Sequence, residues 1–335
     1  MKVAVVILNW NGADFLQQFL PSVVAHSDGA ELWVIDNAST DNSVAFLREQ
    51  YPSVQIVQNE QNGGFAKGYN DGLKSISAEL YVLLNSDIEV TPGWLDPICS
   101  LMEQQPEIAA CQPKVKSYAN KAYFEHAGAA GGFMDKDGYT FCRGRIFAHA
   151  EKDEGQYDDS CEIFWSTGAC MFIRSEDFHR QKGFDEDFFA HMEEIDLCWR
   201  LKNEGKKIWY CSESTVYHVG GGTLDYASPK KTFLNFRNNL FTITKNRRSG
   251  WLFWQVYKRL VLDGVAATKF LFSLQLRHIW AVLSAHHHFF WKLPSMLKKR
   301  KKLGENLSIN RTGIYPKSIV YQAFVKKKTK FSELD

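Results

Sequence analysis

The chain has only seven cysteines in 335 residues (Cys99, Cys111, Cys142, Cys161, Cys170, Cys198 and Cys211) and no CxxC pair. Odd in number and scattered, they argue against a zinc site or a disulfide frame and read as reduced thiols in the cytosol. Long hydrophobic runs are also missing. In the most apolar stretch, residues 251–300, Lys258, Arg259, Asp263, Lys269 and Arg277, with Lys292 beyond them, leave no 18-residue window free of charge, which speaks against a spanning helix. The N-terminal apolar run Val3–Leu8 is too short for a signal peptide, so sequons such as Asn37-Ala38-Ser39 carry no weight. No internal repeat is visible. Gly12 stands alone where a dinucleotide fold needs GxGxxG, which counts against NAD.

What is present is unevenly spread. From Lys245 onward there are 19 Lys and Arg against 4 Asp and Glu, and before it 21 against 34. An acidic body with a basic appendage suits an anionic surface as partner, and an acidic body disfavours nucleic acid. Residues 1–90 alternate apolar runs with helical patterns in the βαβ rhythm of an α/β sheet. The strands expected are Val3–Leu8, Glu31–Asp36, Val54–Val57 and Leu80–Asn85, with helices over Asp14–Ala25, Ser39–Gln50 and Phe65–Ile76. A helix near Trp94–Gln104 and a strand at Ala109–Lys116 continue the core, and glycine-rich loops follow. Beyond them, Cys161–Ile173 reads as a strand broken at Gly168, with further strands at Ile208–Cys211 and Val216–His218. Three regions result: an α/β body over 1–245, an aromatic and basic helical region over 246–303, and a Lys-rich, weakly ordered tail over 304–335. Aromatics mixed with Lys and Arg over 251–300 fit helices lying in a membrane interface; a hairpin packed on protein is the alternative.

Chemistry-bearing residues collect at expected strand ends, where open α/β sheets bind ligands. Asn9, Asn11 and Asp36 end the first two strands, and Asp36 is placed to accept from a nucleotide base or ribose. Asn62-Gly63-Gly64 precedes a helix, where paired glycines admit a ligand and Lys67 can reach a phosphate. Asn85 and Asp87 present oxygens for Mg²⁺ or Mn²⁺, and His218 can complete the metal shell. Arg237 either binds phosphate oxygens or caps the preceding structure. The run Gly183–Arg200, GFDEDFFAHMEEIDLCWR, mixes carboxylates with large aromatics, a setting that raises a carboxyl pKa and suits a general base.

Eight segments in order resemble family 2 glycosyltransferases of the GT-A fold, rhamnosyltransferase-like branch. They are VVILNWNG (Val5–Gly12), VIDNASTDNS (Val34–Ser43), NGGFAKGYN (Asn62–Asn70), LLNSD (Leu83–Asp87), TGACMFIR (Thr167–Arg174), FDEDFFAHMEEIDLCWR (Phe184–Arg200), VYHVGGGT (Val216–Thr223) and FRNNL (Phe236–Leu240). The resemblance implies a mostly parallel central sheet flanked by helices, with a C-terminal helical appendage. It implies a base-binding role for Asp36 and a metal anchor at Asp87, with Asn85 at the first position of a DXD-like motif. The general base lies in the pair Glu193-Glu194, where Glu194 falls on the usual aspartate and either glutamate can serve. Thr167 and Gly168 match the acceptor side, where Asp196 and Trp199 are also expected. The implied activity is inverting transfer of a sugar, rhamnose in that branch, from a nucleotide diphosphate to a glycan or lipid-linked glycan at the inner face of the cell membrane. A nucleotidyltransferase would carry a basic residue in Asn9–Ala13, which this chain lacks. A noncatalytic partner protein with a membrane-docking tail is the other alternative.

Overall fold

A computed structural model describes residues 1–220, 228–248, 251–303 and 308–334. Gly221, Gly222 and Thr223 of the glycine run after His218 lie outside the described residues. The chain opens with β1 (Val3–Asn9), α1 (Ala13–His26), β2 (Glu31–Asp36), α2 (Ser43–Gln50), β3 (Gln55–Gln58), α3 (Gly64–Gly72), β4 (Leu80–Asn85), β5 (Ile88–Val90), α4 (Asp96–Gln104) and β6 (Ile108–Ser117). The strand β1 is apolar at nearly every position because both of its faces are covered. Alternation sends Val3, Val5 and Ile7 to the side of Leu16, Leu20 and Val23 on α1, and Ala4 and Val6 to the side of Tyr69. The helix expected from Ser39 starts at Ser43 instead. The hydroxyl of Ser39 accepts from the Asn11 N–H at 2.9 Å, and Asp41 accepts from the Ala13 and Ser43 N–H groups at 3.0 and 3.1 Å. These side chains tie the loop down rather than extending the helix.

Four short strands follow, β7 (Gly132–Asp135), β8 (Thr140–Cys142), β9 (Arg145–Ile146) and β10 (His149–Ala150), then β11 (Cys161–Ile163), β12 (Cys170–Arg174) and α5 (Ser175–Arg180). The body closes with α6 (Glu193–Asn203), β13 (Lys207–His218) and α7 (Pro229–Asn246). Among the described residues nine strands make the main sheet, in the order β11-β13-β6-β12-β4-β1-β2-β3 with β5 alongside β13. It is parallel from β3 to β4, and mixed beyond because β12 enters antiparallel to both β4 and β6. The two strands expected at Ile208–Cys211 and Val216–His218 are one long strand, β13, with a register shift between Cys211 and Thr215.

The rest of the chain is α8 (Leu252–Phe272), α9 (Leu276–Lys302), β14 (Ile314–Tyr315) and α10 (Ile319–Phe324). The tail expected to be weakly ordered is docked. Strand β14 pairs parallel with β7, Ile319 is buried, and the Phe331 ring lies 4.9 Å from that of Phe133. A few apolar anchors spaced among lysines suffice for this, and they leave no periodic pattern in the sequence. Helix α9 packs on α7, with Phe289 against Phe241 and Arg300 donating to the Thr244 carbonyl at 3.0 Å.

Candidate active site

The parallel half of the sheet sets the site. In register, Asn9 lies opposite Asp36 and Leu8 opposite Asn85, so the carboxyl ends of β1, β2 and β4 bring three predicted donor residues to one edge. Asn9 donates to Asp36 at 3.2 Å and to the Ser39 hydroxyl at 3.2 Å, while its own Oδ1 is buried without a partner. A Cβ on Gly12 would fall 2.6 Å from that oxygen, so glycine at position 12 keeps the Asn9 amide in place. Asp36 is buried and accepts from the Ser39 N–H at 3.1 Å. Asn11 accepts from the Thr40 N–H at 2.7 Å, and Asn62 accepts from Asn37 and from the Gly64 N–H at 3.0 and 2.9 Å. Gly63 precedes the first turn of α3; Lys67 within that helix pairs with Asp71 at 2.6 Å. The lysine expected to reach a phosphate is thus engaged inside its own helix.

The antiparallel pairing of β5 with β13 sets His218 opposite Ile88, and the Val219 N–H donates to the Asp87 carbonyl at 3.1 Å. His218 Nε2 lies 3.2 Å from Asp87 Oδ1 and 3.5 Å from Asn85 Nδ2, and its Nδ1 lies 3.3 Å from Glu125 Oε2. Burial opposes a charge on His218, but hydrogen bonding to Asp87 and Glu125 outweighs it and lifts its pKa to about 10. A carboxylate beside an imidazole is a donor set that suits Mn²⁺ or Mg²⁺. Among the described residues no group of three His, Cys, Asp or Glu side chains is arranged to hold an ion. Two protein ligands supplemented by substrate diphosphate oxygens fit that arrangement. Glu125 was not anticipated; it stands in the segment leading into the glycine-rich loops, where no periodicity marks it.

On the other side of Asn85, its N–H donates to the Ala169 carbonyl at 2.9 Å, which brings the Gly168 segment to the end of β4. A Cβ on Gly168 would sit 3.7 Å from both Cβ and Cγ of Glu194. Glu194 is half-buried at the start of α6, and burial pushes its carboxyl up to about 7. Glu193 is buried, and burial reinforced by the Glu194 charge pushes it well above the usual carboxylate range. Each has an Oε2 with no hydrogen-bond partner.

The loop before α6 is strained. Phe189, His191 and Met192 have φ of 67°, 67° and 73°, conformations costing about 1–3 kcal/mol each unless the surroundings impose them. They are imposed from several sides. Asn238 Nδ2 reaches the carbonyls of Phe188, Ala190 and His191 at 3.0, 2.9 and 2.7 Å, and Arg237 Nη2 those of Asp187 and Phe188 at 3.0 and 2.8 Å. Gly64, at φ 81°, lies so close that a Cβ there would strike the Phe189 ring and carbonyl at 2.6 Å. Lys299 of α9 bridges Asp185 and Asp187, and Lys292 meets Asp187 at 3.0 Å. Burial alone would raise the Asp185 carboxyl, but Lys245 and Lys299 hold it well below the usual range. The acidic run therefore splits into lysine-paired anchors and an unpaired glutamate couple, the pattern of environments that separates structural from acid-base carboxylates.

Several expectations change accordingly. Arg237 is a buried clamp on the loop rather than a phosphate ligand, since burial leaves its donors to backbone carbonyls. Asp196 is fully buried among Arg200 Nε (2.9 Å), Lys245 Nζ (2.9 Å) and Asn246 Nδ2 (2.7 Å), which removes it from an acceptor surface. Trp199 packs edge-on to Phe164 in the core. Thr167 is buried too, its N–H donating to Gln112 at 3.0 Å, while Gly168 adjoins Glu194.

The model of a protein family described as glycosyl transferase family 2 matches residues 4–180. N-acetylglucosaminyl-diphospho-decaprenol L-rhamnosyltransferase of Mycobacterium tuberculosis is 22% identical over 280 residues, spanning 79% of this chain and 90% of its own. The mannosyltransferase PcManGT from Pyrobaculum calidifontis, solved with GDP-Man and Mn²⁺, superposes with a TM-score of 0.55 at 13% identity, covering 87% of each chain. GalNAc-T7, solved with UDP, GalNAc and Mn²⁺, gives a TM-score of 0.54 at 18% identity over 65% of this chain and 43% of its own. These structural likenesses establish a shared GT-A fold.

Proposed function

The chain belongs to glycosyl transferase family 2 and is a glycosyltransferase; from that premise we propose that it inverts the anomeric centre of a nucleotide-activated sugar, with Glu194 as the general base. The observation that carries this reading is the placement of half-buried Glu194 over Gly168, one residue from the strand contact that joins Ala169 to Asn85. A base with a pKa near 7 there stands beside the edge where Asp36 receives the base or ribose and Asp87 and His218 receive a divalent cation. The cation, when bound, supplies Lewis-acid neutralisation of the departing diphosphate. Glu194 takes the acceptor hydroxyl proton while that oxygen attacks the anomeric carbon from the face opposite the leaving group. Asn9 and Ser39 orient Asp36, and the clamp of Arg237 and Asn238 holds Glu194 in place. Rhamnose is the sugar we favour, with a lipid-linked glycan as acceptor, because the mycobacterial relative's name carries both a rhamnosyl and a decaprenol group.

The test is a thermal-shift panel of nucleoside diphosphates with and without Mn²⁺. We expect dTDP or UDP to raise the melting temperature by several degrees only with Mn²⁺ present, since ligand at about 100 times its Kd adds roughly 2.7 kcal/mol. No shift with any nucleotide on folded protein would overturn the donor site.

Membrane association is part of the same reading. Among the described residues no helix is long and apolar enough to cross a membrane. Yet α8, α9 and the residues flanking α8 expose Trp251 (84%), Phe272 (87%) and Trp280 (72%), with Phe253, Leu274 and Trp291 also open to solvent. The opposite face of α8 is pinned to the body by Lys258 with Asp137 at 2.7 Å and by Arg259 donating to Asn239 of α7. Exposed aromatics beside the basic run Lys298–Lys302 fit an anionic lipid surface. We expect the protein to co-sediment with vesicles containing anionic phospholipid, and a Trp251→Ala, Trp280→Ala, Trp291→Ala variant to lose most of that binding. Unchanged sedimentation of the triple variant would count against docking through this face.

A further inference from the structure

We propose that Glu125 is a positioning residue for the cation site: its carboxylate holds the Nδ1 edge of His218 so that the Nε2 edge faces Asp87 and the bound ion. This rests on the reading of Asp87 and His218 as the cation pair. An imidazole nitrogen ligates a metal only when it carries no proton, and the tautomer is decided by what the other nitrogen donates to. Here the two ring edges are divided between two carboxylates, Glu125 at 3.3 Å from Nδ1 and Asp87 at 3.2 Å from Nε2. Glu125 Oε2 is the carboxylate oxygen at the Nδ1 edge; a cation held beside Asp87 would displace the proton on Nε2, leaving that lone pair to the ion while Nδ1 keeps its proton toward Glu125. Glu125 is on the far side of the ring from Asp87, so it is a partner of the ligand and not itself a third ligand.

The backbone fixes this arrangement. Strand β6 runs parallel to β13 with Ser117 opposite His218, and the chain then turns back so that the Glu125 N–H donates to the Val115 carbonyl at 3.0 Å. The preceding Phe124 is buried and its N–H donates to the Glu151 carbonyl at 3.0 Å. One Glu125 oxygen, Oε2, also accepts from the Ala127 N–H, which sets its rotamer. Glu125, His218 and Asp87 are each about 5% exposed. A carboxylate this deeply buried needs a compensating partner, and the imidazole edge is the one it faces.

The experiment titrates Mn²⁺ into the full-length protein and follows the loss of the free-ion EPR signal for wild type, Asp87→Ala, Glu125→Ala and Glu125→Gln, with melting temperatures measured alongside. Asp87→Ala should abolish binding. Glu125→Ala should weaken it about 10- to 100-fold, the usual cost of removing a partner of a metal-bound histidine. Glu125→Gln keeps an oxygen for Nδ1–H but no charge, and should fall between; a purely structural role would not give that graded loss at an unchanged melting temperature. If folded Glu125→Ala binds Mn²⁺ as tightly as wild type while Asp87→Ala does not bind, the Glu125 inference falls and the cation pair stands. If wild type takes up no Mn²⁺, or Asp87→Ala binds normally, the cation pair itself fails and the inference with it. Should Glu125→Ala not fold, Glu125→Gln decides: wild-type affinity overturns the proposal, and a measurable loss supports it.

Discussion

Replacing Glu194 by Gln should lower kcat for sugar transfer by about 10²- to 10⁴-fold, the range a positioned general base contributes, and leave Mn²⁺-dependent nucleotide binding unchanged. Glu193→Gln should change kcat far less. The two neighbours differ in surroundings, not in chemistry. Glu193 is buried, and burial together with its neighbour's charge disfavours its ionised form, so the neutral Gln is the milder change there. Glu194 is half-buried, lies over Gly168, and titrates near 7, so near neutral pH a large fraction is ionised and still basic enough to take a proton. The rate should therefore climb as pH rises through about 7 and level off above it. Stability moves the other way. The folded pKa exceeds the unfolded value of 4.5, so the stabilisation linked to the protonated form is complete below about 4.5 and is lost as pH rises through 7. Glu194→Gln, which cannot ionise, should consequently melt higher than wild type at pH 8. Equal kcat losses in the two variants, or a pH profile flat between 6 and 8, would remove Glu194 as the base.

The parallel half of this fold was legible because each buried strand had to be apolar on both faces and each had to end in polar residues. β1, β2 and β4 read directly from Val3–Leu8, Glu31–Asp36 and Leu80–Asn85, and the edge they form carries Asn9, Asp36 and Asn85. The run Gly183–Arg200 was legible as a setting that raises carboxyl pKa values, while the Glu193-Glu194 pair within it was singled out only by the family resemblance. What could not be read was which acidic residues find a cation. Asp185, Asp187 and Asp196 look like Glu194 in the sequence, yet Lys245, Lys292 and Lys299, which pair with them, come from α7 and α9 far along the chain. Glu125 was missed for the same cause, since its significance comes from β6 running beside β13. The docked tail escaped because three apolar anchors, Ile314, Ile319 and Phe331, are too widely spaced to form a pattern.

Asp196→Ala tests that division between anchors and catalytic groups most sharply, and its largest effect should be on stability. Asp196 is fully buried and its carboxylate joins α6 to α7 through Lys245 and Asn246, and to its own helix through Arg200. Removing it takes the carboxylate partner from buried Arg200 and leaves buried Lys245 with Asp185 alone. Breaking such a network from one side costs about 3–5 kcal/mol, whereas an exposed pair would cost under about 1 kcal/mol. In a chain of this size that corresponds to a drop in melting temperature of roughly 10 °C, with a matching fall in the urea midpoint. Asp196→Asn, which keeps the shape but not the charge, should lose part of this. Because Lys245 also holds Asp185, and Asp185 caps the turn that leads into Phe189–Met192, the freed lysine should loosen the strained loop as well. Transfer should then fall with the folded fraction and with the seating of Glu194, while Mn²⁺-dependent nucleotide binding, built from β1, β2, β4 and β13, survives in the protein that remains folded. An acceptor-side aspartate would behave in the opposite way. Its removal would raise KM for the acceptor with the melting temperature unchanged, and that result would return Asp196 to the substrate surface.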